Sequence, residues 1–408
     1  MFKVASRLNG ISYAVRDIVP LAKELEKKGR KVIYLNIGDP LAYDFDTPPH
    51  IKQALYEVVR QGFNRYSLSE GDPELREAIA EKEKKEKGID LEPGDVIITA
   101  GVSEAINFLM ASTVEPGDEV LVPDPVYPLY ANYAKFYGGK PVYYKCSEID
   151  EWEPDIDDVK EKISDKTKLL VVINPNNPTG AVYREKTLKE LLDVAAEANL
   201  LVATDEIYDK LVYDGEFKSL VSLSKETPIV MLNGFSKSFL VTGWRVGYMY
   251  VYDPGGEVKD LLINQFTKLC RLRLSCSLPA QKALARALRE SYGFLDEVIK
   301  KLRRRRDFMC KRISEVNGLS AVKPKGSFFV FPRITAKGDW RDDREFALSL
   351  LREKGVVVVF GSGFGSQGLD HFRAVFLPPE EVIEEAVGLV EEFIREHSRG
   401  LEGQEQGF

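Results

Sequence analysis

Histidine is scarce in this chain. Only His50, His371 and His397 occur in 408 residues, and they are scattered. No metal site is expected from them, nor chemistry that leans on a histidine base or a Ser–His pair. Cysteine is scarce too. Cys146, Cys270, Cys276 and Cys310 form no C-x-x-C pair and are too few for a disulfide scaffold. A reduced, cytoplasmic setting is the expectation. Long apolar runs are missing: LLVVI at 169–173 is typical, against the roughly 18 consecutive apolar residues of a membrane span. The N-terminal stretch MFKVASRLNGISYAVRD lacks the apolar centre of a signal peptide, so secretion is not expected. Positive charge is not in excess: 57 Lys and Arg stand against 64 Asp and Glu, a net charge of −7. That balance argues against nucleic acid as a partner. The one basic run, KLRRRRD at 301–307, reads as part of a helix whose other residues are apolar at helical spacing. No G-x-G-x-x-G follows an early strand, which removes a nicotinamide dehydrogenase on a doubly wound sheet.

What is present is a chain with 44% apolar and 30% charged residues, enough for a core without staples and for two or three domains. A helix is expected over Ile18–Gly29, then a short strand and turn in KVIYLNIGDP at 31–40. From about 50 to 290, strand and helix patterns alternate. Seven strands are read at Val96–Ala100, Glu119–Val122, Pro141–Lys145, Leu169–Asn174, Leu201–Thr204, Ile229–Asn233 and Val246–Val251. Helical segments such as Ser103–Ala111, Tyr130–Tyr137 and Glu185–Ala198 follow most of them. Such alternation predicts an α/β fold with a mostly parallel sheet between helices. The last two strands have no helix between them, so that pair is expected to be antiparallel. After about 290 the pattern becomes α+β: a charged helix at Phe294–Val316, strands near Ser327–Pro332, Val356–Phe360 and Phe372–Phe376, and a closing helix at Pro379–His397. Three spans result, 1–47, 48–290 and 291–408. The tail GLEGQEQGF at 400–408 is expected to fray.

In sheets of this kind, ligands bind at the carboxyl ends of the strands. The first core strand runs into Gly101-Val102-Ser103-Glu104 and a helix, either an anion site at a helix N-terminus or an ordinary cap. The fourth ends in N-P-N-N-P-T-G at 174–180, a rigid turn that can present Asn177 as a donor or simply turn. The fifth ends in Asp205-Glu206-Ile207-Tyr208. Asp205 is a cleft carboxylate or a helix cap, and Tyr208, about one helical turn on, can point into the same space. The sixth leads into G-F-S-K-S-F-L-V-T-G-W-R-V-G-Y at 234–248. Lys237 there is a surface lysine or a buried amine suited to a Schiff base. Arg245, near Gly243 and Gly247, is a surface arginine or a bidentate phosphate reader.

Each residue alone is ambiguous, but together they meet the needs of pyridoxal 5′-phosphate (PLP). That cofactor wants a lysine amine, a carboxylate for its ring nitrogen, donors for its ring hydroxyl and a phosphate cradle. At this point the sequence resembles the fold-type I, class I/II PLP aminotransferases, and within them the alanine aminotransferase group of archaea and bacteria. The resemblance runs from I-S-Y-A-V-R-D (11–17) and L-N-I-G-D-P (35–40), through NPNNPTG, DEIYD and SKSFLVTGWRVGY, to H-F-R-A-V-F-L-P-P (371–379).

The resemblance implies a large PLP-binding domain over 48–290 with a seven-stranded, mostly parallel sheet. It also implies a smaller α+β domain built from both termini, with the segment 1–47 closing on the site. It implies that Lys237 holds PLP, that Asp205 pairs with the ring nitrogen, and that Tyr208 and Asn177 meet the ring hydroxyl. Ser103, the Glu104 backbone, Ser236 and Arg245 are then at the phosphate, and Tyr127 stacks on the ring. Tyr66 reaches the phosphate of the neighbouring subunit in a homodimer with shared active sites. Arg373 clamps the substrate α-carboxylate with Asn177 and the Gly38 backbone. Tyr13 limits side-chain size and Arg16 pairs with a longer acidic substrate, or both are simply exposed residues ahead of a helix. The implied reaction converts L-alanine and 2-oxoglutarate to pyruvate and L-glutamate by ping-pong steps. An aspartate, aromatic or broad-specificity aminotransferase, or a C–S lyase, shares the cofactor motifs. A PLP-sensing transcription regulator would need an added helix-turn-helix segment, which is not expected here.

Overall fold

The structure is a computed structural model that describes residues 4–290 and 292–398. The expected frayed tail at 400–408 lies outside the described residues. Strand β1 (Ile33–Tyr34) precedes the eight strands of one large sheet. These are β2 (Ile97–Thr99), β3 (Glu119–Asp124), β4 (Lys140–Ser147), β5 (Glu153–Pro154), β6 (Thr167–Ile173), β7 (Leu201–Asp205), β8 (Ile229–Gly234) and β9 (Gly247–Tyr252). Their order across the sheet is β2-β9-β8-β7-β6-β3-β4-β5. The five central strands from β8 to β4 run parallel, and β9 is antiparallel to both neighbours.

All seven strands read from the sequence form, and the expected antiparallel pair is present. The addition is β5, a two-residue edge strand that folds back on the end of β4 through the Cys146–Pro154 and Ser147–Glu153 pairs. It is too short to leave an alternating pattern. The central strands are apolar without alternation because helices cover both faces. In β6, every residue from Leu169 to Ile173 is at most 1% exposed.

The chain leaves β3 toward β4 on one side, then returns to build β6, β7 and β8 on the other. That reversal opens a crevice at the strands' carboxyl ends. The period of two along β7 sends neighbouring carboxylates to opposite faces. Asp205 turns to the crevice. Glu206 turns away and accepts from Lys87 Nζ at 2.8 Å and from the Ser219 hydroxyl. Lys87 also pairs with the fully buried Glu83, which accepts from the Tyr248 and Tyr250 hydroxyls. Buried charges this fully partnered tolerate no loss of a member, since the remainder would be left unpaired in a dry interior.

The C-terminal part adds β10 (Leu319–Ser320), β11 (Phe329–Val330), β12 (Arg333–Ile334), β13 (Val356–Val357), β14 (Val359–Phe360) and β15 (Phe372–Val375). These strands are shorter than the sequence reading. The run 356–360 splits because β13 pairs parallel with β1, whereas β14 pairs antiparallel with β15. Pro332 and the left-handed Ser327 confine β11. One apolar cluster joins Ile33, Leu35 and Phe45 to residues from Leu302 to Ile394, so the N-terminal segment packs with the C-terminal part. The basic run lies on the helix Phe294–Glu315 as expected. Arg305 pairs with Asp44, Arg306 with Asp214, and Arg304 with Glu380. Among the described residues, no helix is long and apolar enough to cross a membrane.

Candidate active site

A cavity of about 520 Å³ opens at the carboxyl ends of β6, β7 and β8. Tyr13, Arg16, Gly38, Ser103, Tyr127, Asn177, Asp205, Tyr208, Ser236, Lys237, Arg245 and Arg373 all line it. Twelve of the singled-out residues, spread over most of the chain, are thereby brought to one space.

Asp205 ends β7 and is buried. Its Oδ2 accepts the Tyr130 hydroxyl at 2.9 Å and its Oδ1 accepts the Ile207 N–H at 3.2 Å. Burial pushes its carboxyl up to about 6 despite these donors. No helix follows β7, because the chain turns through 207–210. Asp205 therefore caps no helix, and Tyr208 reaches the cavity from a turn rather than from the next turn of a helix.

Lys237 sits in the loop after β8, where Nζ donates to the Gly38 carbonyl at 2.7 Å. Burial lowers its amine to about 8, so about a tenth is free base at pH ~7. A side chain at Gly38 would meet the Phe328 and Phe329 rings at 2.7 and 2.8 Å, so only glycine lets this backbone come so close.

Arg373 lies on β15 and is 1% exposed. It donates to Asn177 Oδ1 at 2.8 Å and to the Asn36 carbonyl at 2.6 Å. The Phe329 and Phe364 rings lie 4.3 and 5.0 Å from its guanidinium. Burial lowers it to about 10, and its Nε has no partner. A buried guanidinium held by neutral groups lacks a counter-charge, which an incoming carboxylate supplies.

Ser103 lies in the first turn of the helix Val102–Thr113, where the Glu104 N–H donates to the Gly101 carbonyl at 3.1 Å and the Val102 and Ser103 N–H groups have no partner within the helix. Arg245, with φ 55°, donates to the Thr242 and Ala100 carbonyls at 3.2 Å. Its guanidinium lies against Gly101, where a Cβ would meet Nη2 at 2.6 Å. Two serines, a helix N-terminus and an arginine form an anion cradle.

Two singled-out residues do not line the cavity. The Glu104 side chain is engaged elsewhere, accepting from the Ala100 N–H and from Arg273, both at 2.7 Å. Tyr66 is 74% exposed on the stretch between the helices Pro49–Arg60 and Pro73–Lys87. Tyr13 and Tyr127 touch through hydroxyls 3.0 Å apart. Sequence reasoning misses Tyr130, which looks like one more apolar residue of a helix. Its only signal is its place three residues after Tyr127, on the same side of that helix.

A buried carboxylate, a lysine amine and an anion cradle lining one cavity could hold a flat, phosphorylated pyridine. The buried Arg373 and Asn177 leave a second, carboxylate-binding end. Among the described residues, no cluster of His, Cys, Asp and Glu is placed to hold a metal.

The family model for aminotransferase class I and II matches residues 30–389. The chain belongs to the class I and II aminotransferases. It is 37% identical to the glutamate-pyruvate aminotransferase AlaA of Haemophilus influenzae, over 97% of this chain and 99% of that protein. An aromatic-amino-acid aminotransferase from Thermococcus litoralis is 36% identical, over 94% and 95% of the two chains. Among solved structures, an alanine aminotransferase from Pyrococcus furiosus superposes with a TM-score of 0.94 at 48% identity, covering 97% of this chain and all of that one.

Proposed function

We propose that this aminotransferase uses PLP to exchange an amino group between L-alanine and 2-oxoglutarate, giving pyruvate and L-glutamate. The observation that carries the reading is one cavity that gathers a lysine amine, a buried carboxylate, an anion cradle and a buried arginine without a counter-charge. Relatives named for glutamate–pyruvate and alanine exchange support this choice of substrates.

Bound PLP supplies an electron sink for the electron pair of the substrate's Cα–H bond. Asp205 pairs with the ring nitrogen, and the cation there favours its ionised form. Tyr208 and Asn177 serve the ring hydroxyl. Tyr127 packs on the ring face. Ser103, Ser236, Arg245 and the Glu104 backbone N–H hold the phosphate. Arg373 takes the α-carboxylate that every amino acid and 2-oxo acid carries, and so fixes the Cα–H bond relative to Lys237. Lys237 Nζ would take the Cα proton as base and then, as acid, deliver it to the cofactor carbon that bears the transferred nitrogen. Its amine at about 8 leaves enough free base to accept a proton near neutral pH. Tyr13, held against Tyr127, limits the bulk of the side chain, and Arg16 meets the second carboxylate of the longer but slender 2-oxoglutarate and L-glutamate.

The active form is a homodimer in which Tyr66 completes the partner's phosphate site, and the enzyme works in the cytoplasm. Residues 1–47 and 291–408 act together as a smaller unit against the large one at 48–290. The β1–β13 pairing and the shared apolar cluster support that division. The test is steady-state kinetics of the PLP-loaded protein with L-alanine and 2-oxoglutarate. Parallel double-reciprocal lines with equal pyruvate and glutamate formation are expected. Absence of pyruvate would overturn the reading.

A further inference from the structure

We infer that Asp124 is a positioning residue for substrate binding, acting as a latch that sets Arg373 and the N-terminal segment against the Tyr127 wall. This role rests on the reading of Arg373 as the α-carboxylate clamp.

Asp124 is the last residue of β3, three positions before Tyr127, and is 3% exposed. Its carboxylate accepts three bonds, all from the loop at 361–368 that leads into β15. The Ser366 N–H donates at 3.0 Å, the Ser366 hydroxyl at 2.6 Å and the Gln367 N–H at 3.0 Å. A fourth bond runs beside them, from the Val126 N–H to the Phe364 carbonyl at 2.7 Å. Three donors converging on one buried carboxylate are a specific anchorage, since the carboxylate would otherwise have lost its water without gaining a partner.

The loop is built to admit this carboxylate. Gly365 has φ +134°, and a Cβ there would fall 2.0 Å from Asp124 Oδ1. Gly361 and Gly368 close the loop on each other, each with space for a hydrogen but not a methyl. Any side chain at Gly365 displaces the carboxylate. This explains the glycine-rich string G-S-G-F-G-S-Q-G at 361–368 without recourse to a nucleotide.

The loop reaches two more walls of the cavity. The Phe364 ring packs 5.0 Å from the Arg373 guanidinium. At Gly363 a Cβ would meet Ala14 Cβ at 2.5 Å, so the loop backbone abuts the segment bearing Tyr13 and Arg16. One carboxylate thus fixes, through one loop, the distance between the substrate clamp and the wall facing it.

The experiment uses PLP-loaded enzyme and the variants Asp124→Ala, Asp124→Asn, Ser366→Ala and Arg373→Ala, together with the Asp124→Ala/Arg373→Ala double variant. KM and kcat are read for L-alanine and 2-oxoglutarate, with Tm alongside. Asp124→Ala should raise KM for both substrates by about tenfold or more while kcat changes less than about threefold. Asp124→Asn, which keeps one acceptor oxygen, should recover part of the loss. Ser366 is exposed, so Ser366→Ala keeps the fold and should raise KM severalfold even if Asp124→Ala proves unstable. In the Arg373→Ala background, Asp124→Ala should add no further rise. If Arg373→Ala raises KM but the Asp124→Ala and Ser366→Ala effects are absent, or add in full to it, the latch is wrong. If Arg373→Ala itself leaves KM unchanged, the clamp reading fails instead.

Discussion

The cofactor-free enzyme should be stabilised, and only above a particular pH, by a substitution that the proposed role of Asp205 expects to cost it activity. The substitution is Asp205→Asn. Asp205 is fully enclosed, and burial raises its carboxyl from the ordinary 3.8 to about 6. Between those values the folded chain holds a proton that the unfolded chain has released. The slope of unfolding free energy with pH is then negative, so stability falls as pH rises from about 4 to about 6. A rise of that size costs the folded chain about 3 kcal/mol once the group is fully ionised. Asparagine keeps the shape and, like the protonated acid, one strong acceptor oxygen, enough for the Tyr130 hydroxyl or the Ile207 N–H but not both, and it carries no charge to bury. Urea unfolding of cofactor-free wild type and variant, at one fixed protein concentration, measures the difference. It should be near zero below pH ~4, grow through pH ~6, and level off at about 3 kcal/mol in favour of the variant. PLP should stabilise the wild type more than the variant at pH ~8, because a protonated ring nitrogen offsets the buried charge. A difference that does not change with pH, or a wild type more stable than the variant at pH ~8, would refute the reasoning.

Other outcomes follow from the same geometry. Lys237→Ala should keep its far-ultraviolet circular dichroism and still bind cofactor through the anion cradle, yet lose at least about a hundredfold in kcat; transamination near the wild-type rate would remove Lys237 from the chemistry. Arg373→Ala should raise KM for every amino acid and 2-oxo acid alike, by the equivalent of about 1.5–3 kcal/mol. A rise confined to dicarboxylic substrates would make Arg373 a side-chain reader instead. Tyr66→Phe and Lys237→Ala chains, mixed and allowed to exchange, should regain activity, because two-fold symmetry leaves each hybrid one intact site. An active monomer in sedimentation, or no recovery after proven exchange, would sink the shared-site reading.

Much of this site is legible in the sequence because a parallel α/β sheet leaves its chemistry at strand ends. NPNNPTG after β6 and the Ser-Lys-Ser of the loop after β8 stand out as polar strings beside apolar strands. What stays hidden depends on contacts between distant positions. Asp124 reads as an ordinary strand end until Ser366, 242 positions later, is seen to bind it. Tyr130 reads as helix core until Asp205 meets it across the sheet. The turn after Asp205 reads as helical because no glycine or proline breaks Ile207-Tyr208-Asp209-Lys210. Tertiary packing there overrides local propensity. Strands β11, β13 and β14 fall inside runs read as strands, whereas the two-residue β10 and β12 are too short to carry a periodic signal.

The substrate assignment is tested most directly by a comparison of amino donors. With 2-oxoglutarate fixed at saturation, kcat/KM of the PLP-loaded enzyme is measured for L-alanine, L-aspartate, L-phenylalanine and L-tyrosine. On the proposed assignment, L-alanine should exceed each of the others by at least about tenfold, the aromatic donors because Tyr13 and Tyr127, in contact through their hydroxyls, are read as limiting side-chain bulk. A higher value for L-aspartate or for either aromatic donor would contradict the assignment.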